Sequence, residues 1–179
     1  MGLDISYASK INFEKRREPD FEEMHQNSVF LYPNDSLLDQ SEGIKNGEYI
    51  SEGIQGSFRA GSYSGYGSWR RILAEMIGWE IEDLWRSVET LVQRNENLND
   101  VLNENDRFSV DIPFVELLHF SDCEGFIGPK TSAKLHSDFL EWDENAKNFD
   151  SQNSYFYETY QEWTEAFKVA SDGGCVIFC

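Results

Sequence analysis

Four reactive side chains, His119, Asp122, Cys123 and Glu124, fall within a stretch of six residues that also holds Ser121. A thiol beside an imidazole and two carboxylates has the residue types for covalent catalysis. Cys123 would attack, His119 or His136 would take its proton, and Asp122 or Glu124 would orient the ring. The set is also common by chance in so acidic a chain, and a cysteine is more often a small buried hydrophobe than a nucleophile. A hydrolase or transferase built on these residues is therefore the third reading, and whether the protein is an enzyme stays open. No recognised metal-ligand spacing occurs, and the three cysteines (Cys123, Cys175, Cys179) form no C-x-x-C pair, so neither a metal nor a disulfide framework is expected.

A second constellation is defined by what it lacks. Between Glu52 and Glu75 there are 22 residues without a carboxylate, in a chain with 33 acidic residues in 179. The gap holds Arg59, Arg70 and Arg71, five glycines, the serines Ser57, Ser62, Ser64 and Ser68, and the rings of Phe58, Tyr63, Tyr66 and Trp69. Glycines let a backbone approach a ligand, serine hydroxyls and free amides donate, and the start of a helix favours an anion. Arginine adds a fork for phosphate or carboxylate, and tyrosine can stack on a ring. The segment carries no G-K-[ST] end and no dinucleotide glycine pattern, so no cofactor is expected. The competing reading is a tight strand-to-helix turn with both tyrosines in the core and the arginines neutralising nearby acids.

A shorter acid-free gap, 125–137, places Lys130, Lys134 and His136 at a helix start after Gly128-Pro129. If both gaps met in space they would line one pocket, cationic on one side and carboxylate-bearing on the other. The leading expectation is thus a pocket for a small anionic, nucleotide-like ligand. Arg59 and Arg70 would hold the anion, Ser62 and Ser64 would donate to it, Tyr63 and Tyr66 would stack, and Asp122 and Glu124 would accept from its hydroxyl or amine groups.

Charge supports the main alternative. The formal net charge is −18, and residues 1–58, 59–130 and 131–179 each carry −6, so the acidity is a surface property rather than a tail. Such a field repels nucleic acid and anionic membranes and favours a basic protein partner, as in an inhibitor that mimics nucleic acid. No apolar run approaches the roughly 18 residues of a membrane span, and no secretory pattern opens the sequence, so the cytoplasm is expected. Oligomeric state is not legible.

These residues need elements to position them. With 40% hydrophobic residues the chain can fill a core, and its length suits one domain over 1–179. Leu3, Ile5 and Tyr7 alternate as a strand, 29–32 form a second, and 48–58 a glycine-interrupted third. Trp69, Leu73, Met76 and Ile77 predict a helix ending at Gly78, and Ile81 through Val92 a second one. The polar stretch 94–107 reads as an exposed loop, making 80–107 a helical or loop insertion. A strand is predicted within 110–120. Leu135, Phe139, Trp142, Ala146 and Phe149 mark a helix opened by Pro129, and Phe156, Tyr160, Trp163, Phe167 and Ala170 mark another ended by Gly173-Gly174. A closing strand covers 175–179. Strands and helices without regular alternation predict an α+β fold, a small mixed or antiparallel sheet against three to four amphipathic helices.

The opening MGLDISY, the block FRAGSYSGYGSWR (58–70) and the block FSDCEGFIGP (120–129) resemble a family of uncharacterised bacterial and phage-associated proteins that begin MGLDI. The resemblance covers about half the chain and implies that the two blocks belong together. It implies no activity.

Overall fold

The computed structural model describes residues 2–18, 27–81, 91–93, 101–102, 112–120, 124–149 and 154–179. The strand alternation at the start forms β1 (Gly2–Ala8), with Leu3, Ile5 and Ala8 buried. β2 (Ser28–Leu31) pairs antiparallel with β3 (Gly47–Ile50) as a two-stranded sheet, and a 3-10 segment, Asp35–Ser41, lies between them in sequence. The segment predicted as one strand over 48–58 is instead two. β3 ends at Ile50, the chain crosses at Gly53, and β4 (Gln55–Ser62) joins β1. The crossing is held by Ser9: its hydroxyl accepts from Ile54 N at 2.9 Å, and a Cβ on Gly53 would lie 2.2 Å from that oxygen.

Helix α1 (Tyr63–Met76) follows β4 directly, earlier than its apolar spacing indicated, because Ser62 caps it by accepting from Gly65 N at 3.0 Å. Gly78, at φ +82, turns the chain out of the helix as expected. Residues 82–90 of the helix predicted over 81–92, and all of the loop predicted over 94–107 except 101–102, lie outside the described residues; where these segments are described, they are strands. β5 (Trp79–Ile81) pairs with β6 (Leu91–Gln93), which pairs with β7 (Val101–Leu102). Ile81, Leu91 and Val92 thus serve a β ladder, whose cross-strand partners the local spacing could not reveal.

The strand predicted within 110–120 is likewise replaced by a short helix, α2 (Val115–His119). Phe114 adopts a left-handed φ of +60 after Pro113, and its amide donates to the Asp138 carboxylate at 2.7 Å. A long-range cap therefore overrode a β-favouring local sequence. β8 (Gly125–Ile127), α3 (Pro129–Glu141), α4 (Asp143–Asn148), α5 (Phe156–Ala170) and β9 (Cys175–Phe178) complete the order. The single helix read from Leu135 to Phe149 is broken at Trp142 into α3 and α4.

The main sheet runs β4-β1-β9-β8, antiparallel throughout, and with the helices it makes the fold α+β. β9 is buried at all four positions because both of its faces are covered. Val176 and Phe178 face the core shared with Tyr66, Trp69, Trp163 and Phe167, while Cys175 and Ile177 face a smaller cluster with Leu31, Tyr49 and Phe126. Around Trp163 the rings of Tyr66, Trp69, Phe167 and Phe178 have centroids within 5.6–5.8 Å. Truncating such a ring to alanine typically costs about 3–5 kcal/mol, so this cluster fixes α1 and α5 on the sheet.

Candidate functional site

The two arginines expected to hold one anion point to opposite sides of the sheet. Arg70 is buried on α1, only 1% exposed. Its Nη1 donates to Leu118 O at 2.8 Å, and its guanidinium carbon sits 4.9 Å from the centroid of the Tyr66 ring. Tyr66 has no exposed surface and donates its hydroxyl to Phe120 O at 2.9 Å. Neither side chain meets solvent, so the expected roles of Arg70 as anion clamp and Tyr66 as stacking platform are corrected. Both join α1 to α2. The helix period put position 70 on the face carrying Tyr66, Trp69 and Leu73, and burial of that face carried the arginine inward.

Arg59 alternates with Phe58 and Ala60 on β4, whose side chains face the core. It therefore projects from the other face, where Nη1 lies 3.3 Å from the Asp4 carboxylate on β1. Tyr63 is exposed in the first turn of α1, and Ser64 lies 3.2 Å from Ser62, hydroxyl to hydroxyl. Ser62 thus caps the helix start, and Ser64 is turned toward it.

The second gap behaves the same way. Gly128-Pro129 opens α3 as expected, but an internal anion occupies the helix start: the Glu42 carboxylate accepts from Thr131 N at 2.8 Å. Lys134 reaches Glu116 and Asp138, each at 2.8 Å. Burial disfavours its charge, but the two carboxylates outweigh that and hold its pKa above the ordinary lysine value. His136 is half-buried, and burial followed by repulsion from Lys168 pushes its pKa down.

Asp122 and Cys123 lie outside the described residues. His119 is 1% exposed on α2, within the core. Glu124 is exposed beside β8, and its carbonyl accepts from the Asn34 amide at 2.8 Å. Its position is the informative one. Gly125 pairs with Phe178, so Glu124 comes opposite Cys179, and Asp4 and Cys179 exchange backbone hydrogen bonds at 2.9 and 3.3 Å. Arg59, Asp4, Cys179 and Glu124 therefore form one row across the sheet, within β4 and β1 and just beyond the ends of β9 and β8. Burial raises the Cys179 thiol pKa; a Ser6 hydrogen bond opposes this, and the Asp4 and Glu124 charges add to it. A thiol kept protonated is a poor nucleophile. Among the described residues no three potential ligands converge on a metal position.

Next to that row, on the sheet face opposite the helices, a cleft of about 470 Å³ opens between β2 and the main sheet. Ser6, Gln55, Ser57 and Ile177 line one side and Ser28, Val29 and Phe30 the other. Sequence reasoning missed Asp4 as the neighbour of Arg59, and Ser6 and Cys179 as residues of the same sheet face. Alternation placed Asp4 and Ser6 on one face of β1, but the register that sets them beside β4 and β9 is long-range information.

The chain matches no family model, no curated protein and no solved structure. Among the described residues no helix is long and apolar enough to cross a membrane.

Proposed function

We propose that the protein is an acidic interaction protein that engages a basic surface of a partner protein in place of a polyanion. The observation that supports this reading most is that the expected anion-holding groups are used internally. Arg70 is buried on a carbonyl, Arg59 faces Asp4, and the starts of α1 and α3 are filled by Ser62 and Glu42. Among the described acids, Glu158, Glu162 and Glu165 lie on the exposed face of α5, and Glu141 and Glu144 are exposed nearby in the chain. Attraction of this kind steers association and weakens with salt. The test is association with a purified DNA-binding protein at low and high salt, with duplex DNA as competitor. Salt-sensitive binding that DNA displaces is expected, and binding indifferent to both would overturn the reading.

The cleft favours a second reading, a small polar ligand held by the hydroxyls of Ser6, Ser28 and Ser57, with Arg59 two residues along β4 from Ser57 to take an anionic group. A thermal upshift with one class of phosphate compound, lost in Arg59→Ala, would select this reading over the first.

A further inference from the structure

The two edges of the main sheet are finished differently. β8, three residues long, lies beside the 3-10 segment: Gly128 N donates to Gln40 O at 2.8 Å, and the Asn34 side chain reaches Glu124 O. β4 is the opposite edge, eight residues long, and its hydrogen-bonded partner strand among the described residues is β1 alone. An open edge presents a row of backbone donors and acceptors to any extended chain, and proteins usually guard it with proline, lysine or an unpaired charge. β4 has no proline or lysine, its one charge, Arg59, faces Asp4 at 3.3 Å, and the register shift that leaves Ala60 unpaired lies near its far end, so Gln55–Arg59 is the regular, unguarded stretch. Gly56 gives it no side chain near its start, and the ring of Tyr7 lies against that glycine.

Both flanks of this edge suit an added strand. On the helix side the Phe58 ring of β4 meets Trp163 of α5 edge-on at 5.0 Å, which sets the exposed Glu162 and Glu165 of that helix beside the sheet; both charges add to the burial that raises the Tyr7 pKa, and Glu165 also holds Lys168 at 2.7 Å. On the other side the cleft beside Gln55 and Ser57 offers room for alternate side chains. We propose that the β4 edge receives an extended, lysine- or arginine-bearing segment of a partner protein as a fifth strand, with its basic side chains toward Glu162 and Glu165. A second copy of this chain is the disfavoured occupant, because two bodies of net charge −18 would have to meet edge to edge. The inference rests on the basic-partner reading and gives that partner a place to bind.

The test uses the full chain and an eight-residue synthetic peptide alternating lysine with valine, beside the same peptide N-methylated at alternate amides. The methylated form keeps charge and length but cannot complete a ladder. Calorimetry at low salt should show the plain peptide binding at least about tenfold tighter, the scale of a lost backbone hydrogen bond or two. Amide exchange should slow along Gln55–Ser62. Glu162→Gln, on an exposed face, should weaken binding about two- to fivefold. Equal, salt-sensitive binding of both peptides, without protection of β4, would overturn the edge assignment while leaving the basic-partner reading standing. No binding of either peptide, together with no association with the DNA-binding protein, would sink both. A dimer in sedimentation with β4 protected before any peptide is added would replace the partner with a second copy.

Discussion

Arg59 and Arg70 sit eleven positions apart in the same acid-free, glycine-rich segment, yet one is a surface residue and the other a core residue. Arg59 lies on an edge strand, where every second side chain faces away from the core, and it meets a carboxylate in solvent. Arg70 lies on α1, on the face that packs against Trp163, and it donates to a buried carbonyl instead. Composition treats the two alike; the period of the element each occupies separates them. A stretch rich in cations and glycine is therefore a poor guide to a binding site until the elements within it are known.

That contrast can be broken by substitution. Arg70→Ala should cost about 2–5 kcal/mol in urea unfolding, since it opens a cavity and leaves the Leu118 carbonyl without this donor. A loss under about 1 kcal/mol would mean the guanidinium is not seated in the core. Alkaline pH probes the other internal cation, Lys134. Its raised pKa, and that of Tyr160, pushed up by burial and then by Asp143 and Asp138, mean the native state keeps protons the unfolded chain gives up near pH 10. Stability should be full below about pH 10 and fall above it by about 1.4 kcal/mol per pH unit for each retained proton; Tm measured from pH 8 to 11 would show a plateau and then a decline. A flat profile to pH 11 would contradict the carboxylate pairing of Lys134 and the burial of Tyr160.

Smaller effects sharpen the comparison. Tyr66→Phe removes the donor to Phe120 O and should cost about 1–3 kcal/mol, seen as a lower urea midpoint without a change in slope. Glu42→Gln should cost about 0.3–1 kcal/mol by weakening the charge at the start of α3, and high salt should narrow the difference from the native chain. Arg59→Ala should cost about 0–1 kcal/mol; a larger loss would make Arg59 a structural residue like Arg70.

Much of the fold was readable locally. Alternation in β1, apolar spacing in α3 and α5, Pro129 at a helix start and Gly78 and Gly173 at helix ends all correspond to observed elements. The failures share a cause. Ile81, Leu91 and Val92 have helical spacing but pair as strands, and Val115–His119 follows a left-handed Phe114 whose amide is held by Asp138, 24 residues away. Local preference is weak, and contacts distant in sequence outweigh it. The candidate site was less legible. Glu124 was singled out for its neighbours in sequence, whereas it matters beside Cys179 and Asp4, which only strand register supplies.

Sequence by itself determined the acidic surface, the periods that build β1, α3 and α5, and therefore the class of fold, because charge and apolar spacing act over a few residues. Tertiary structure alone decided which arginine is buried, which carboxylate fills the start of α3 and which strand is left at the edge. Each of those depends on register and packing between segments far apart in the chain.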